Sequence, residues 1–310
     1  MKKRFLFAVV GLILLASLPV FAQKSSFGND PIKAMFIAMD AQDIHWLKLN
    51  RGAQQQSAKV KIDYVMMAPA GKVDTAQQIA IMEDAITAKY DIVMVAPQFA
   101  TSMIPSINKA RAAGIKVIVV DSPLPAGSAY DAFVGTDNGA AARIAADTLA
   151  KAIGGTGKIA IVNAQPGAGT TMLRENEFKA QIAAKYPGIT IVGTQYSDGD
   201  KAKALNIATD FMRANPDLKG FYGCNEGATV GTGNAVKQSG KKIVVVGWDK
   251  SPESQALVLD GTILAVMVQN PTAMGTKGIQ AGIDLLNGKA VKKDDDSGCT
   301  VGTRANIAKL

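Results

Sequence analysis

From residue 34 onward the chain alternates short apolar runs with helical stretches almost without a break. Ala34 to Met39 is an apolar run ending at Asp40, and a helical stretch follows to about Ala58. Ile62 to Ala68 predicts a second strand. Asp74 then caps a helix running to about Lys89, in which Ala76, Ile79, Ala80 and Ile86 recur at helical spacing. Ile92 to Ala96 predicts a third strand, stopped by Pro97. A helix near Ser102 to Ala113 ends at Gly114, a residue suited to the left-handed position after a helix. Lys116 to Val120 is a fourth strand, ending at Asp121.

The pattern then restarts. A long helix is predicted from about Asn138 to Ile153, before Gly154 and Gly155. Strands follow at Ile159–Val162, Thr190–Val192, Gly220–Tyr222 and Ile243–Val246, with helices around 171–185, 200–214 and 227–239. A last strand at Ile263–Val268 and a helix at about Ala273–Leu286 complete the series. Apolar runs joined by crossover helices imply parallel sheets covered on both faces. One echo divides the chain. Gly114-Ile-Lys-Val-Ile-Val-Val-Asp121-Ser-Pro123 is matched by Gly240-Lys-Lys-Ile-Val-Val-Val-Gly-Trp-Asp249-Lys-Ser-Pro252, with the two aspartates 128 residues apart. Each is a strand ending in Asp and then a turn with Pro. This fits two similar α/β lobes better than one continuous sheet. Ligands of such sheets bind beyond the carboxyl ends of the strands, which is where Asp121 and Asp249 are expected, one per lobe.

The first 22 residues read as an export signal: Met1-Lys2-Lys3-Arg4, a mostly apolar stretch from Phe5 to Leu18, and Val20-Phe21-Ala22 before Gln23. The run is short for a bilayer span of about 20 residues and Pro19 interrupts it. No Cys follows it, which argues against a lipid anchor. Export to a periplasm-like compartment is the expectation. The formal charge of +8, less the 3 positive residues of that segment, leaves a mature chain at +5. Its Lys and Arg are scattered, without the dense basic stripe of a nucleic-acid surface. Apolar residues make up 48% and charged residues 19%, enough to bury a sizeable core.

Cys224 and Cys299 are the only cysteines. In an oxidising compartment they could pair, but sequence cannot show that the sulfurs meet, and two buried thiols fit equally. With the single histidine, His45, they do not suggest a zinc centre, and no metal or cofactor is expected. Catalytic signatures are missing. There is no Gly-x-Ser-x-Gly and no His-Glu-x-x-His, and Gly154-Gly-Thr-Gly-Lys158 continues into Ile159, not Ser or Thr. The glycines of Gly227-Ala-Thr-Val-Gly231-Thr-Gly233 are in the wrong order for a dinucleotide loop and suit close helix packing.

The polar residues at the strand ends suit a hydroxylated ligand. Asp43, His45 and Trp46 follow the first strand. An indole face can stack on the C–H face of a sugar ring, although periodicity alone places Trp46 in a core. The carboxylates of Asp121 and Asp249 accept strong hydrogen bonds from hydroxyls; each alone reads as a turn former or helix cap. Arg174, at a helix start, offers a fork for two oxygens, or else lies on a solvated face. Asn225 and Gln269 each follow a strand and offer donor and acceptor together.

With these pieces the chain resembles the periplasmic sugar-binding proteins of the ribose-binding type, the type I solute-binding proteins of ABC importers, over about residues 32 to 295. The resemblance is carried by Val119-Val-Asp121, Val134-Gly-Thr-Asp137-Asn138, Arg174 followed by Glu177-Phe178, Asn225-Glu226, Val245-Val-Gly-Trp-Asp249, and Gln269-Asn-Pro271 with Met274-Gly275. It implies two Rossmann-like lobes with parallel sheets joined by three crossovers, near Thr136, Gln269 and Ser297. The N-terminal lobe would be residues 23–136 plus 270–296, and the C-terminal lobe 137–269 plus 297–310. It further implies that Asp43, His45 and Trp46 sandwich a sugar, that Asp121 is the first-lobe acid with Ser122 beside it, and that Arg174, Asn225 and Asp249 bind hydroxyls from the second lobe. Gln269 would be a ligand residue at the hinge. Members of the family with ribose as ligand carry Arg where this chain has Ser122, two aromatics at His45-Trp46, and an aromatic where Gly199 stands. A larger or more open polyol could use the freed space. The implied protein is not an enzyme. It captures a monosaccharide or polyol, closes by hinge bending, and docks as a monomer on the permease of an ABC importer, with a chemoreceptor as a second candidate partner and no nucleic acid. The alternatives are an exported hydrolase or isomerase using Asp121 and Asp249 as acid and base, and a sugar-responsive repressor. The export signal and the lack of a DNA-binding module argue against the repressor.

Overall fold

The structure is a computed structural model that describes residues 24–41, 44–70, 74–166 and 169–310. The expected export signal lies outside the described residues. In chain order the elements are β1 (Lys33–Ile37), α1 (Ile44–Val60), β2 (Asp63–Met67), α2 (Thr75–Thr87), β3 (Ile92–Val95), α3 (Ala100–Ala112), β4 (Lys116–Val120) and β5 (Ala132–Gly135). There follow α4 (Asn138–Ala152), β6 (Gly157–Asn163), α5 (Gly169–Lys185), β7 (Ile189–Tyr196), α6 (Lys201–Ala214) and β8 (Leu218–Gly223). The rest are α7 (Glu226–Ser239), β9 (Val244–Trp248), α8 (Pro252–Leu259), β10 (Ala265–Gln269), α9 (Pro271–Leu286), β11 (Asp294–Asp296) and β12 (Cys299–Thr303).

Two sheets result, and they share one plan. The first runs β11-β5-β4-β3-β1-β2 and the second β12-β10-β9-β8-β6-β7. Every pairing is parallel except β10 with β12. In each sheet the strand order reverses beside the first strand of the unit, the switch point where doubly wound sheets open a crevice. Central strands are apolar on both faces because helices cover both. Met35, Ile37, Val93 and Val95 face α2 and α3, while Phe36, Ile92 and Met94 face α1 and α9. In the second sheet Ile159, Ile161, Tyr222 and Trp248 face α4 and α5, and Val162, Phe221 and Val245 face α6, α7 and α8.

The chain passes between the lobes three times. It leaves β5 of the first sheet for α4, which packs on β9 and β10; it returns from β10 to α9, which packs on α1, β3, β4 and β5; and it crosses last from β11 to β12. α1 and α9 meet backbone to backbone. A Cβ on Gly275 would fall 2.0 Å from the Leu49 carbonyl oxygen, and one on Gly52 2.0 Å from that of Thr272. Gly227 likewise abuts the Gly199 carbonyl, at 1.9 Å from an added Cβ, so the glycines of α7 serve helix packing.

The edges differ from the sequence reading. β7 extends to Tyr196, beyond the expected Val192, because this edge strand is half-buried and needs no apolar run. β11 is three aspartates pairing with β5 through backbone alone. α8 is announced by a capping box of Ser251 and Ser254 around Pro252, not by an apolar stripe.

Candidate functional site

The crevices of the two sheets face each other across a cavity of about 620 Å³. His45, Trp46, Asp121, Ser122, Arg174, Asn225, Asp249 and Gln269 all line it. Asp43, the remaining expected site residue, lies outside the described residues.

In the first lobe, α1 begins at the C-terminal end of β1 and presents His45 and Trp46 in its first turn. Trp46 is at once a core residue and a lining residue of the cavity. It is only 6% exposed and packs with Leu49 and Met274, and its remaining surface faces the cavity. The His45 ring stands edge-on to it, centroids 4.8 Å apart at 86°. His45 Nε2 lies 2.9 Å from Asp121 Oδ1, and the Ser122 hydroxyl donates to Asp121 Oδ2 at 3.1 Å. Burial pushes the Asp121 carboxyl up, but His45 and then Arg174 and Ser122 outweigh it and hold the group below the ordinary carboxylate value. An ionised acceptor suits hydroxyl donors. It is unsuited to a general acid, which needs a raised pKa.

Asp121 and Asp249 are equivalent in backbone as well as in sequence. Both are left-handed, with φ of 62° and 68°. Each donates its N–H to the next strand, Asp121 to Val134 at 3.0 Å and Asp249 to Met267 at 2.9 Å. Neither caps a helix; Ser251 caps α8. Non-glycine residues in this region are uncommon, and such strain gathers at functional sites.

In the second lobe Arg174 is 3% exposed, so it is not on a solvated face. Its guanidinium lies 3.6 Å over the Trp248 ring, with Nε donating to Asn138 Oδ1 at 2.7 Å and Nη1 to the Cys224 carbonyl at 3.1 Å. Among the described residues Nη2 has no partner. Asn225 caps α7 through Oδ1, at 3.1 Å from the Ala228 N–H, which leaves Nδ2 open. A Cβ at position 199 would lie 3.4 Å from that nitrogen, so glycine keeps its approach clear. Asp249 Oδ1 accepts from Gln269 Nε2 at 2.8 Å, leaving Oδ2 free.

Other lining residues gave no sequence signal. The Thr170 hydroxyl is buried at the start of α5 and has no partner among the described residues. Gln98 accepts the Asp74 N–H at 3.0 Å and donates to the Met39 carbonyl, so it fixes the loop after β1. Lys201 sits against Glu226 at 3.2 Å, and Ser251 donates to the same carboxylate at 2.6 Å. Cys224 and Cys299 are both free thiols. Burial pushes Cys299 up to about 12 and Cys224 well above its ordinary value, which keeps both protonated. Among the described residues no cluster of His, Cys, Asp and Glu could hold a metal, and no helix is long and apolar enough to cross a membrane.

Two doubly wound lobes, three crossovers and a polar cleft define a type I periplasmic binding protein. The periplasmic binding protein domain matches residues 35–290, and the chain belongs to that family. It is 27% identical over 259 residues to the D-allose-binding periplasmic protein of Escherichia coli, covering 80% of this chain and 83% of that protein. It is 27% identical over 304 residues to the D-ribose/D-allose-binding protein of Pseudomonas aeruginosa, covering 95% and 94%. The solved ABC-transporter solute-binding protein of Agrobacterium vitis with bound D-fucose is similar at 35% identity and a TM-score of 0.81, covering 89% of this chain and 97% of that one.

Proposed function

We propose that this protein is an exported receptor that captures a monosaccharide or related polyol between its lobes and delivers it to an ABC importer, without chemistry on the solute. The observation that carries this reading is the convergence, on one cavity, of ionised and amide groups from both lobes beside the Trp46 face. Arg174 Nη2, Asn225 Nδ2 and Asp249 Oδ2 supply unused donors and an acceptor of the kind a ring of hydroxyls would satisfy. The relatives named for D-allose and D-ribose support the solute class. The family supports a periplasmic location and an ABC permease as partner, with a chemoreceptor as a second candidate. We assign residues 23–136 plus 270–296 to one lobe and 137–269 plus 297–310 to the other; the sheet membership of β5, α9, β11 and β12 supports those limits. Ser122, a small side chain on the cavity wall, leaves room for a solute larger or more open than ribose.

The test is a thermal-shift and calorimetric screen of pentoses, hexoses, deoxyhexoses and polyols against the mature chain. Saturable binding without product is expected. Asp249→Ala should lower the affinity at least about a hundredfold, the loss of a charged hydrogen-bond partner, while the circular-dichroism spectrum stays native. No binding in the screen, or wild-type affinity in Asp249→Ala, sinks the assignment.

A further inference from the structure

Two of the cavity groups in the second lobe are joined to each other through the hinge. Asp249 Oδ1 accepts from Gln269 Nε2 at 2.8 Å, and Gln269 Oε1 accepts from the Thr136 hydroxyl at 3.1 Å. The Thr136 carbonyl accepts from Asn138 Nδ2 at 3.1 Å, and Asn138 Oδ1 accepts from Arg174 Nε at 2.7 Å. Thr136 and Asn138 belong to the first crossover and Gln269 to the second. The third is tied in as well: Asp296 Oδ1 accepts from the Asp137 N–H at 3.0 Å and the Gly298 N–H at 2.9 Å. Thr136 and Asn138 are only 4% and 3% exposed, and neither lines the cavity.

The polarity of this chain is fixed throughout. A guanidinium donates only, so Asn138 must turn its oxygen to Arg174 and its nitrogen to the Thr136 carbonyl. A carboxylate accepts only, so Gln269 must turn its nitrogen to Asp249 and its oxygen to the Thr136 hydroxyl. No amide in the chain can flip without breaking two bonds, and buried bonds of this kind are costly to lose. We infer that Thr136 and Asn138 are positioning residues for solute capture: they hold Arg174 and Asp249 at a fixed spacing and tie both to the crossovers that bend on closure. The inference rests on the cavity being the sugar site. Ligand contact with either group then biases the hinge directly, because the hinge backbone is part of the same hydrogen-bonded chain.

The experiment uses the mature chain with D-allose, D-ribose and D-fucose as probes. Thr136→Val removes only the hydroxyl donor and keeps the branched shape; Thr136→Ser restores the donor. Affinity by calorimetry should fall about tenfold in the valine variant, the scale of one lost hydrogen bond, and stay within about threefold of wild type in the serine variant. Asn138→Ala should free Arg174 from one anchor. In a Trp46→Phe background, where Trp248 is the only indole, this should shift the Trp248 emission in the ligand-free protein, a signature that a general loss of stability does not produce in folded molecules. Wild-type affinity in Thr136→Val, equal losses in the valine and serine variants, or unchanged Trp248 emission in Asn138→Ala overturns the inference while leaving the sugar reading intact. A wild-type protein that binds none of the three probes or the wider screen overturns both.

Discussion

Asp121 and Asp249 show how a residue can be held against its own backbone preference at the wall of a cavity. Each ends a strand with positive φ, a conformation that costs an ordinary L-residue roughly 1–2 kcal/mol. That turn aims the carboxylates out of the sheets and into the cavity. Asp121 then acquires His45, Ser122 and the field of Arg174, which hold it ionised against the effect of burial. The sign follows: a carboxyl depressed in the folded state contributes stability above the ordinary carboxylate range, and this is lost as pH falls through its folded value. Asp121→Asn keeps the shape and tolerates the left-handed turn but gives up the charge. It should cost about 2 kcal/mol at neutral pH, with the difference from wild type shrinking as the pH is lowered below the ordinary carboxylate value of about 4. Urea unfolding at a series of pH values measures this, and a difference independent of pH contradicts it.

Helices and strands were legible where burial imposes a period and obscure where it does not. Strands β1, β3, β4 and β9, with at least four of their residues buried, read as continuous apolar runs. The far half of β7 and the acidic β11 lie at sheet edges, where backbone pairing suffices and the side chains stay polar. α8 is short, and its apolar residues, Ala256 to Leu259, run together without a helical period. The aspartate pair could be found because its two copies echo in sequence, whereas the Thr136–Gln269 contact spans 133 positions and leaves no local trace. Element packing is where glycine counts most. Gly275 lies in α9 where the Leu49 carbonyl of α1 leaves no space for a methyl group. Gly275→Ala should therefore destabilise by about 1–3 kcal/mol through forced separation of the two helices, whereas Gly169→Ala in α5, whose added methyl meets nothing within 4 Å among the described residues, should change stability by less than about 0.5 kcal/mol. Equal melting temperatures for the two variants refute the close-packing argument.

At the scale of the whole molecule the lobes are separate hydrophobic bodies. Among the described residues two buried clusters belong to the first sheet and two to the second, and none contains residues from both. What joins them is polar and covalent: three crossovers and the hydrogen bonds among them. Domains coupled so weakly move relative to one another and need not unfold together. On the proposed function, a solute touching Asp121 on one side and Asp249 on the other would add the missing coupling, since it would bind only when both lobes are folded. At a free concentration of one hundred times Kd it would add about 2.7 kcal/mol. Scanning calorimetry should thus give a calorimetric enthalpy above the van't Hoff enthalpy for the free protein. The two should converge as the solute is raised to saturation, with the melting temperature rising. A single two-state transition in the free protein, with the same enthalpy ratio at every solute concentration, would show that the lobes are already locked together and that the cleft does not couple them.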